Sequence, residues 1–475
     1  MSEVILITTS KQLGYVSVGS HPIGLMYIAS YLRDLDRHNV RIIDQKIKAL
    51  SESDLTTKLK KYQPKFIGIT GMTYELDAIC ALASMIKKTL PKVHIIIGGC
   101  HATSSPEDFI KFDFIDYVIC GEGEISFSEL IKSINHGFLY PKISGLAYKK
   151  NGHIIYNKIE SPSISLDKLP FPAWDLIDID AYSKTKRPLL NYKQKKFMTI
   201  YSSRGCPFHC IYCHSIFGKK LRSRSAENIF KEIMILYSKY QIKEFLFADD
   251  AFNMNVSIAE KLMDYIIDSG IKIHISFACG LRGDYMTTKL LDKMKAAGTF
   301  YITYAVETAS PRLQKLIKKN LNLEKLTTII NETVKRGIFT RGCFMFGFPT
   351  ETKKELYNTI KYALNSKFHA ANFFIVTPYP GTELFYNIKD KLSDSHLNSI
   401  YHYRKSDGYG LSNINRKDFS KIVRNSKIKF LIQPIRLYRY FMIIPKTDFI
   451  YKSYLVFIRY CQILLNRSID KKRNA

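Results

Sequence analysis

Two consecutive series of short β-branched runs, alternating with helix-period segments, constrain this chain more than any other feature. In the first series VILITT, VRIID, FIGIT, HIIIGG and YVIC are separated by stretches such as GLMYIASYL and ELDAICALASMI, whose apolar residues recur every three to four positions. Apolar strands joined by amphipathic helices build a parallel sheet covered on both faces. Residues 1–135 are therefore expected to form a doubly wound, Rossmann-like α/β domain. Ligands of such sheets sit at the carboxyl ends of the strands. The residues that fall there are small or polar: Thr70 and Gly71, then Gly98, Gly99 and His101, then Gly121, Glu122, Gly123 and Glu124. Glycines at strand ends either admit a bulky flat ligand to the backbone or simply turn the chain. Ser105, Pro106 and Asp108 read as an N-cap, a first-turn proline and an acidic third position opening a helix. No GxGxxG loop follows the first strand, which argues against a dinucleotide.

The chain has 475 residues, enough for about three domains of ordinary size, and its 46% hydrophobic content excludes a disordered polymer. No apolar stretch approaches the roughly 18 residues of a membrane span, and MSEVILITTS lacks the features of a signal peptide. A cytoplasmic location is expected. The 71 Lys and Arg against 42 Asp and Glu give a net charge of +29. Abundant solvated lysine accounts for it without a nucleic-acid partner, which is disfavoured.

Nine cysteines are too sparse for a disulfide framework. Cys80, Cys100, Cys120, Cys279, Cys343 and Cys461 are scattered, and Cys279 and Cys343 are expected to be buried small hydrophobes. Cys206, Cys210 and Cys213 instead crowd into FMTIYSSRGCPFHCIYC, a strand followed by a loop with CxxxCxxC spacing. Three thiolates so placed can hold three corners of an iron–sulfur cluster, leaving one iron open to a small molecule, where an electron-transfer cluster takes four cysteines. The same thiols with His209 or His214 make a zinc site on spacing alone.

Residues 136–195 between the two series form a linker with a hairpin around Asn151-Gly152, followed by LDKLPFPAWDLID. Trp174, the only tryptophan, is expected to anchor this connector's packing across both domains. After the cysteines the second series continues through strands at Glu244–Ala248 and Lys272–Ala278 and near Tyr301, Gly342 and Asn372. Gly270, Gly298 and Gly337 act as helix stops before strands. Six strand–helix units predict an open, partial (β/α)6 TIM barrel over residues 196–385, with reactive groups at the strands' carboxyl ends.

RGCPFHCIYC closely resembles the signature of radical S-adenosylmethionine (SAM) enzymes, and FADDAF, GLRGD, AVETAS, FMFGFPTET and TPYPGTEL resemble successive motifs of one subclass. HPIGLMYIASYL (with Gly24), IGITGMT, IIIGGCHAT and YVICGEGE resemble the loops of the cobalamin-binding domain that precedes many of these enzymes. The resemblance implies a 4Fe-4S cluster on Cys206, Cys210 and Cys213, SAM on the open iron, and Tyr212 beside its adenine. It also implies SAM contacts from Glu307 (ribose) and Arg282 (carboxylate), although either residue suits a structural ion pair equally well. Asp249 and Asp250 are open between substrate contact and loop capping. Cobalamin would lie against Gly24, Thr70, Gly71, Gly98, Gly99, His101, Gly121 and Glu122. The DxHxxG motif that ligates cobalt in methionine-synthase-type domains is missing: Asp36-Arg37-His38 is followed by Arg41 and reads as a helix end. Methylthiotransferases share CxxxCxxC, but no cysteine precedes Cys80, where that family places some of its second-cluster ligands.

The resemblance implies a radical SAM enzyme that cleaves SAM reductively and methylates an unactivated carbon. An oxidative cyclase using the same cofactors, like the enzymes that close the isocyclic ring of bacteriochlorophyll, is the alternative. A basic RNA-binding protein with a structural metal is the alternative of another class. Expected partners are a small-molecule or lipid-like substrate and an electron donor such as flavodoxin or ferredoxin. No general acid or base is assigned. Residues 386–475 are a basic, helical C-terminal extension, with fifteen Lys and Arg against three Asp from residue 416 onward. Its cations either snorkel from helices packed on the barrel or contact a membrane surface peripherally.

Overall fold

The computed structural model describes residues 2–9, 20–137, 142–160, 164–185, 192–214, 216–393, 411–443 and 454. The first sheet contains β1 (Glu3–Thr8), β2 (Asn39–Asp44), β3 (Phe66–Thr70), β4 (His94–Gly98) and β5 (Tyr117–Ile119), all parallel, in the order β2-β1-β3-β4-β5. Ile67 and Ile69 of β3 pack with Leu55, Leu59 and Ile79 on one face, while Phe66 packs with Leu130 and Ile131 on the other. Burial on both faces is why these strands are apolar throughout. Connections leave β1 toward opposite sides, so the ligand crevice of the sheet lies where β1 and β3 end.

The hairpin around Asn151 and Gly152 is part of this sheet. β6 (Leu146–Lys150) pairs antiparallel with β5 and β7 (His153–Tyr156) with β6, making seven strands. Asn151 and Gly152 both have positive φ (49° and 77°), as the tight hairpin turn requires. Residues 164–185 then cross to the second domain. Trp174 is buried and donates from Nε1 to Glu232 (3.2 Å), and Ala173 donates from its backbone to Met26.

The second sheet has six parallel strands: β8 (Met198–Ile200), β11 (Glu244–Phe247), β12 (His274–Leu281), β13 (Thr299–Glu307), β14 (Phe339–Phe346) and β15 (Ala370–Ile375), in sequence order. A ribbon of β9 (Ser203–Arg204) and β10 (Arg222–Ser223) closes the base of the cysteine loop. This is the open six-stranded barrel expected from the pattern. Ile302, Tyr304 and Val306 of β13 join Phe344 and Phe346 of β14 in the core under the helices. Tyr301, Thr303, Ala305 and Glu307, and Arg341, Cys343 and Met345, are the alternate positions and face the lumen.

The bottom of the lumen is closed by the C-terminal helix Pro434–Ile443, whose Tyr440, Phe441 and Ile443 pack with Phe197, Leu246, Tyr301 and Phe339. Arg436 fastens that helix by donating to the carbonyls of Phe368, Ala363 and Leu364, where helix Lys353–Asn365 ends. The described part of the basic extension thus packs on the barrel; residues 444–453 and 455–475, with Cys461, lie outside the described residues. Among the described residues no helix is long and apolar enough to cross a membrane.

Candidate active site

The cysteine loop begins where Asp249 holds the chain. This buried carboxylate closes β11, and its Oδ1 accepts hydrogen bonds from the amides of Ser202 (2.8 Å) and Ser203 (2.5 Å) and from both hydroxyls (2.8 and 2.7 Å). Burial pushes its pKa up to about 6 against the pull of those four bonds. Asp249 is therefore the loop cap of the two readings left open above. Gly205 follows with φ of +87°, and a Cβ there would stand 2.3 Å from the Lys220 carbonyl, so only glycine lets the loop leave the ribbon. Cys206 and Cys210 are half-buried and Cys213 is exposed; all three are free thiols. Burial raises the Cys206 pKa and lifts that of Cys213 to about 12, so cationic iron has to supply what the protein does not for these sulfurs to bind as thiolates.

The back wall of the loop is the turn after helix Pro311–Leu316. Ile211 donates to the Ile317 carbonyl (3.1 Å), and Lys318 and Asn320 adopt left-handed backbone (φ 54° and 50°). Arg282, expected as either a carboxylate ligand or a structural pair, takes the second role. Its Nε and Nη2 form a fork on Asp284 (3.0 and 2.7 Å), its Nη1 donates to the Lys319 carbonyl (2.8 Å), and its plane lies 4.0 Å from the ring of Phe208 inside the cysteine loop. With those donors engaged, it positions the loop.

Glu307 ends β13 at a bulge, in left-handed backbone (φ 65°), a strained conformation for a glutamate and one that concentrates at functional sites. It is buried, and Lys319 reaches it at 3.4 Å. Lys319 is also buried and escaped the sequence reading, because KKN reads as a surface run. Tyr212 packs against Phe348 (5.7 Å between rings), and burial together with the Glu307 charge holds its pKa well above the ordinary value. Asp250 and Cys279 are solvent-accessible, yet the surrounding mass raises the pKa of both, that of Cys279 to about 11. Groups that are reachable by water and still desolvated line a hollow. This corrects the expectation that Cys279 and Cys343 are core: Cys343 is only half-buried and alternates with the core residues Phe344 and Phe346.

In the first domain Gly99 (φ 98°) is forced, since a Cβ would come 2.5 Å from Thr70 Oγ1, and Gly121 (φ 84°) turns the chain after β5. Thr70, Gly71, Gly98, Gly99 and Gly121 thus gather along the carboxyl ends of β3, β4 and β5. Gly24 opens onto space, with nothing within 4 Å of a Cβ. Two of the residues expected beside cobalamin have protein partners. His101 is fully buried, with Nε2 3.1 Å from Asp108, and it staples its short helix to the next one. Glu122 accepts from Arg204 (2.6 Å) and from Arg222, while Glu124 accepts from Arg204 (2.6 Å): the GEGE loop is bolted to the ribbon below the cysteines. His38 follows Arg37 (φ 60°) and accepts from the Ser2 amide, as suits a helix end.

These contacts turn the carboxyl ends of the two sheets toward each other. Ser104, after β4, lies 3.3 Å from His214, just past Cys213, and is also packed beside Gly381, after β15. His214, a candidate zinc ligand by spacing, has its Nδ1 at the Ser104 hydroxyl, and among the described residues no three His, Cys, Asp or Glu side chains converge on a single ion.

Residues 200–363 match the Radical SAM superfamily, and residues 13–131 match the B12 binding domain family. The chain is 34% identical over 418 residues to an uncharacterized methyltransferase of Pyrococcus horikoshii, covering 87% of this chain and 88% of that one. The chain belongs to the cobalamin-binding radical SAM family. A second relative of this radical SAM protein is the anaerobic magnesium-protoporphyrin IX monomethyl ester cyclase of Rubrivivax gelatinosus (24% identical, 78% of this chain and 67% of that one). The fold is shared with the radical SAM methyltransferase TsrM of Kitasatospora setae, solved with cobalamin and a [4Fe-4S] cluster (17% identical, TM-score 0.68, 82% of this chain and 75% of that one). The cofactors of such an enzyme are a 4Fe-4S cluster, SAM and cobalamin, and the residues present suit them. Three free thiols on a loop pinned at both ends fit a cluster, and a row of small residues with open space at Gly24 fits a broad flat ring.

Proposed function

We propose that this enzyme transfers a methyl group to a carbon atom of a small molecule held in the barrel lumen. The observation that carries the reading is the face-to-face arrangement of the cysteine loop and the glycine-rich strand ends, locked by Arg204 between Glu122 and Glu124. Cys206, Cys210 and Cys213 hold the cluster. Lys319 offers its ammonium to the carboxylate of SAM, Glu307 accepts from the ribose hydroxyls, and Tyr212 flanks the adenine. Thr70, Gly71, Gly98, Gly99, Gly121 and Gly24 form the bed for cobalamin, with no imidazole offered from a DxHxxG motif. When bound, the cluster supplies the electron that cleaves SAM, and cobalamin supplies the methyl group. Arg282 and Asp249 fix the loop, and the interlocked domains keep bulk water from the space between the cofactors. An electron donor of the flavodoxin or ferredoxin kind serves the cluster from outside.

The test supplies methyl-labelled SAM, reductant and cobalamin to the anaerobically reconstituted chain, together with a small-molecule extract. Label in a carbon-bound methyl of a product supports the proposal. Release of 5′-deoxyadenosine with no methyl incorporation supports instead a cyclase-type reaction, the reading that the Rubrivivax relative favours.

A further inference from the structure

Among the described residues, one cation of the barrel lumen has no acid paired with it. Arg341 lies on the inward face of β14, two residues before Cys343 and four before Met345. Its Nη2 donates to the Ala278 carbonyl of β12 (3.0 Å), and its guanidinium stands 5.5 Å from the centre of the Tyr301 ring. Among the described residues no carboxylate pairs with it, and its Nε is buried without a hydrogen-bond partner. Thr303, beside it in register on β13, is completely buried, and its Oγ1 makes no well-formed hydrogen bond, with the Tyr301 hydroxyl as its side-chain neighbour.

Arg341 is half-buried overall, and the protein's buried arginines are treated differently. Arg204 bridges Glu122 and Glu124, Arg224 meets Glu232 (2.5 Å), Arg282 forks onto Asp284, and Arg436 sits on a set of helix-end carbonyls. A guanidinium does not lose its proton in a protein, so one that has neither a carboxylate nor a full set of carbonyls gains from a ligand that brings negative charge to its unused donors. Below Arg341 the lumen is apolar, with Leu246, Tyr301, Phe339 and Tyr440. Above it lie Cys279 and Cys343, whose thiol pKa values register its charge, and then the mouth with Glu307. At 3.3 Å per strand residue, Arg341 to Met345 spans about 13 Å, the length of a small molecule.

We infer that Arg341 and Thr303 form an oxyanion seat at the inner end of the lumen, which receives a carboxylate or phosphoryl group of the substrate and points the rest of it at the cysteine loop. This rests on the reading of the lumen as the substrate chamber of a radical SAM enzyme. Guanidinium and hydroxyl donors side by side suit an oxyanion and reject a neutral alkyl end, so the substrate is an acid and its reacting carbon lies away from the acidic group.

The test is equilibrium dialysis of labelled inorganic phosphate against the reconstituted full-length chain in 0.15 M sodium chloride, which screens diffuse binding to the basic surface. Iron per chain is measured on the same samples as a check on folding. One phosphate site is expected, weakened about tenfold or more in Arg341→Met, about threefold in Thr303→Val, and partly restored in Arg341→Lys. Wild-type affinity in Arg341→Met, or no saturable site in the parent, overturns the inference. If Arg341→Met fails to take up iron, Thr303→Val decides the matter, and an unaltered site in that variant overturns it as well. An Arg341-dependent site in a chain that takes up no cluster and cleaves no SAM leaves the anion seat but removes its role as substrate anchor. SAM cleavage without a phosphate site removes the seat alone.

Discussion

At the seam between the domains, Arg204, Arg222 and Arg224 are matched by Glu122, Glu124 and Glu232. In the lumen a few residues away, Asp249 keeps Oδ2 unpartnered and Arg341 leaves its buried Nε unused. Both regions contain buried polar groups, but only at the seam is each buried charge met by one of opposite sign, with Arg222 Nη1 left over there. A paired buried charge specifies one geometry, here the angle at which two sets of strand ends meet. An unpaired one marks a place that a ligand finishes. Partnering, more than residue type or position at a strand end, separates the scaffold of this enzyme from its site.

The largest effect expected belongs to the open side of that comparison. Replacing Cys206, Cys210 or Cys213 by alanine takes 5′-deoxyadenosine formation down to the level of a control without enzyme, measured anaerobically with SAM and dithionite, because two thiolates cannot hold the cluster in place. Next comes the seam. Arg204→Met strands Glu122 and Glu124 and costs about 3–5 kcal/mol of stability in urea unfolding. In the same assay Arg341→Met is expected to change stability by less than about 1 kcal/mol in either direction, since it removes a charge with no carboxylate partner and one hydrogen bond to a carbonyl. Equal losses in the two variants would erase the distinction.

Asp249 supplies a pH test. Its folded pKa of about 6 lies above the ordinary 3.8, so the folded chain binds more protons than the unfolded chain between those values. Stability from this group therefore falls as pH rises through that window, by up to about 3 kcal/mol, and is level above it. Asp249→Asn, which keeps an acceptor for the Ser202 and Ser203 donors, flattens that segment of the stability–pH curve. Smallest is Lys319→Met, expected to weaken SAM binding about tenfold in equilibrium dialysis, while cluster content stays at the wild-type level.

The fold was legible because the strands of both sheets fall in β-branched or aromatic runs and most covering helices carry a 3.6-residue stripe, Ile23–Ser30 being apolar all round. The cysteine loop was legible because its spacing has few uses. The failures share a cause. Glu122 and Arg204 are 82 residues apart, so no local pattern announces that the glutamate is consumed by the arginine. His101 sits at a strand end like its glycine neighbours, but a single turn of helix swings its ring into the core against Phe109. Cys343 was readable from alternation with Phe344 and Phe346. Cys279 was not, because the register of β12 shifts between Phe277 and Leu281 and changes which side chains face inward. Lys319 looks like any surface lysine until the left-handed turns at Lys318 and Asn320 fold it beneath the barrel mouth.

The central claim is an iron left open by a trio of cysteines and taken by SAM. Electron–nuclear double resonance on the reduced, reconstituted enzyme with SAM labelled by nitrogen-15 at its amino group tests it directly. A hyperfine coupling from that nitrogen to the cluster is the expected result. A cluster with no such coupling, whose spectrum is unchanged by SAM, would contradict it.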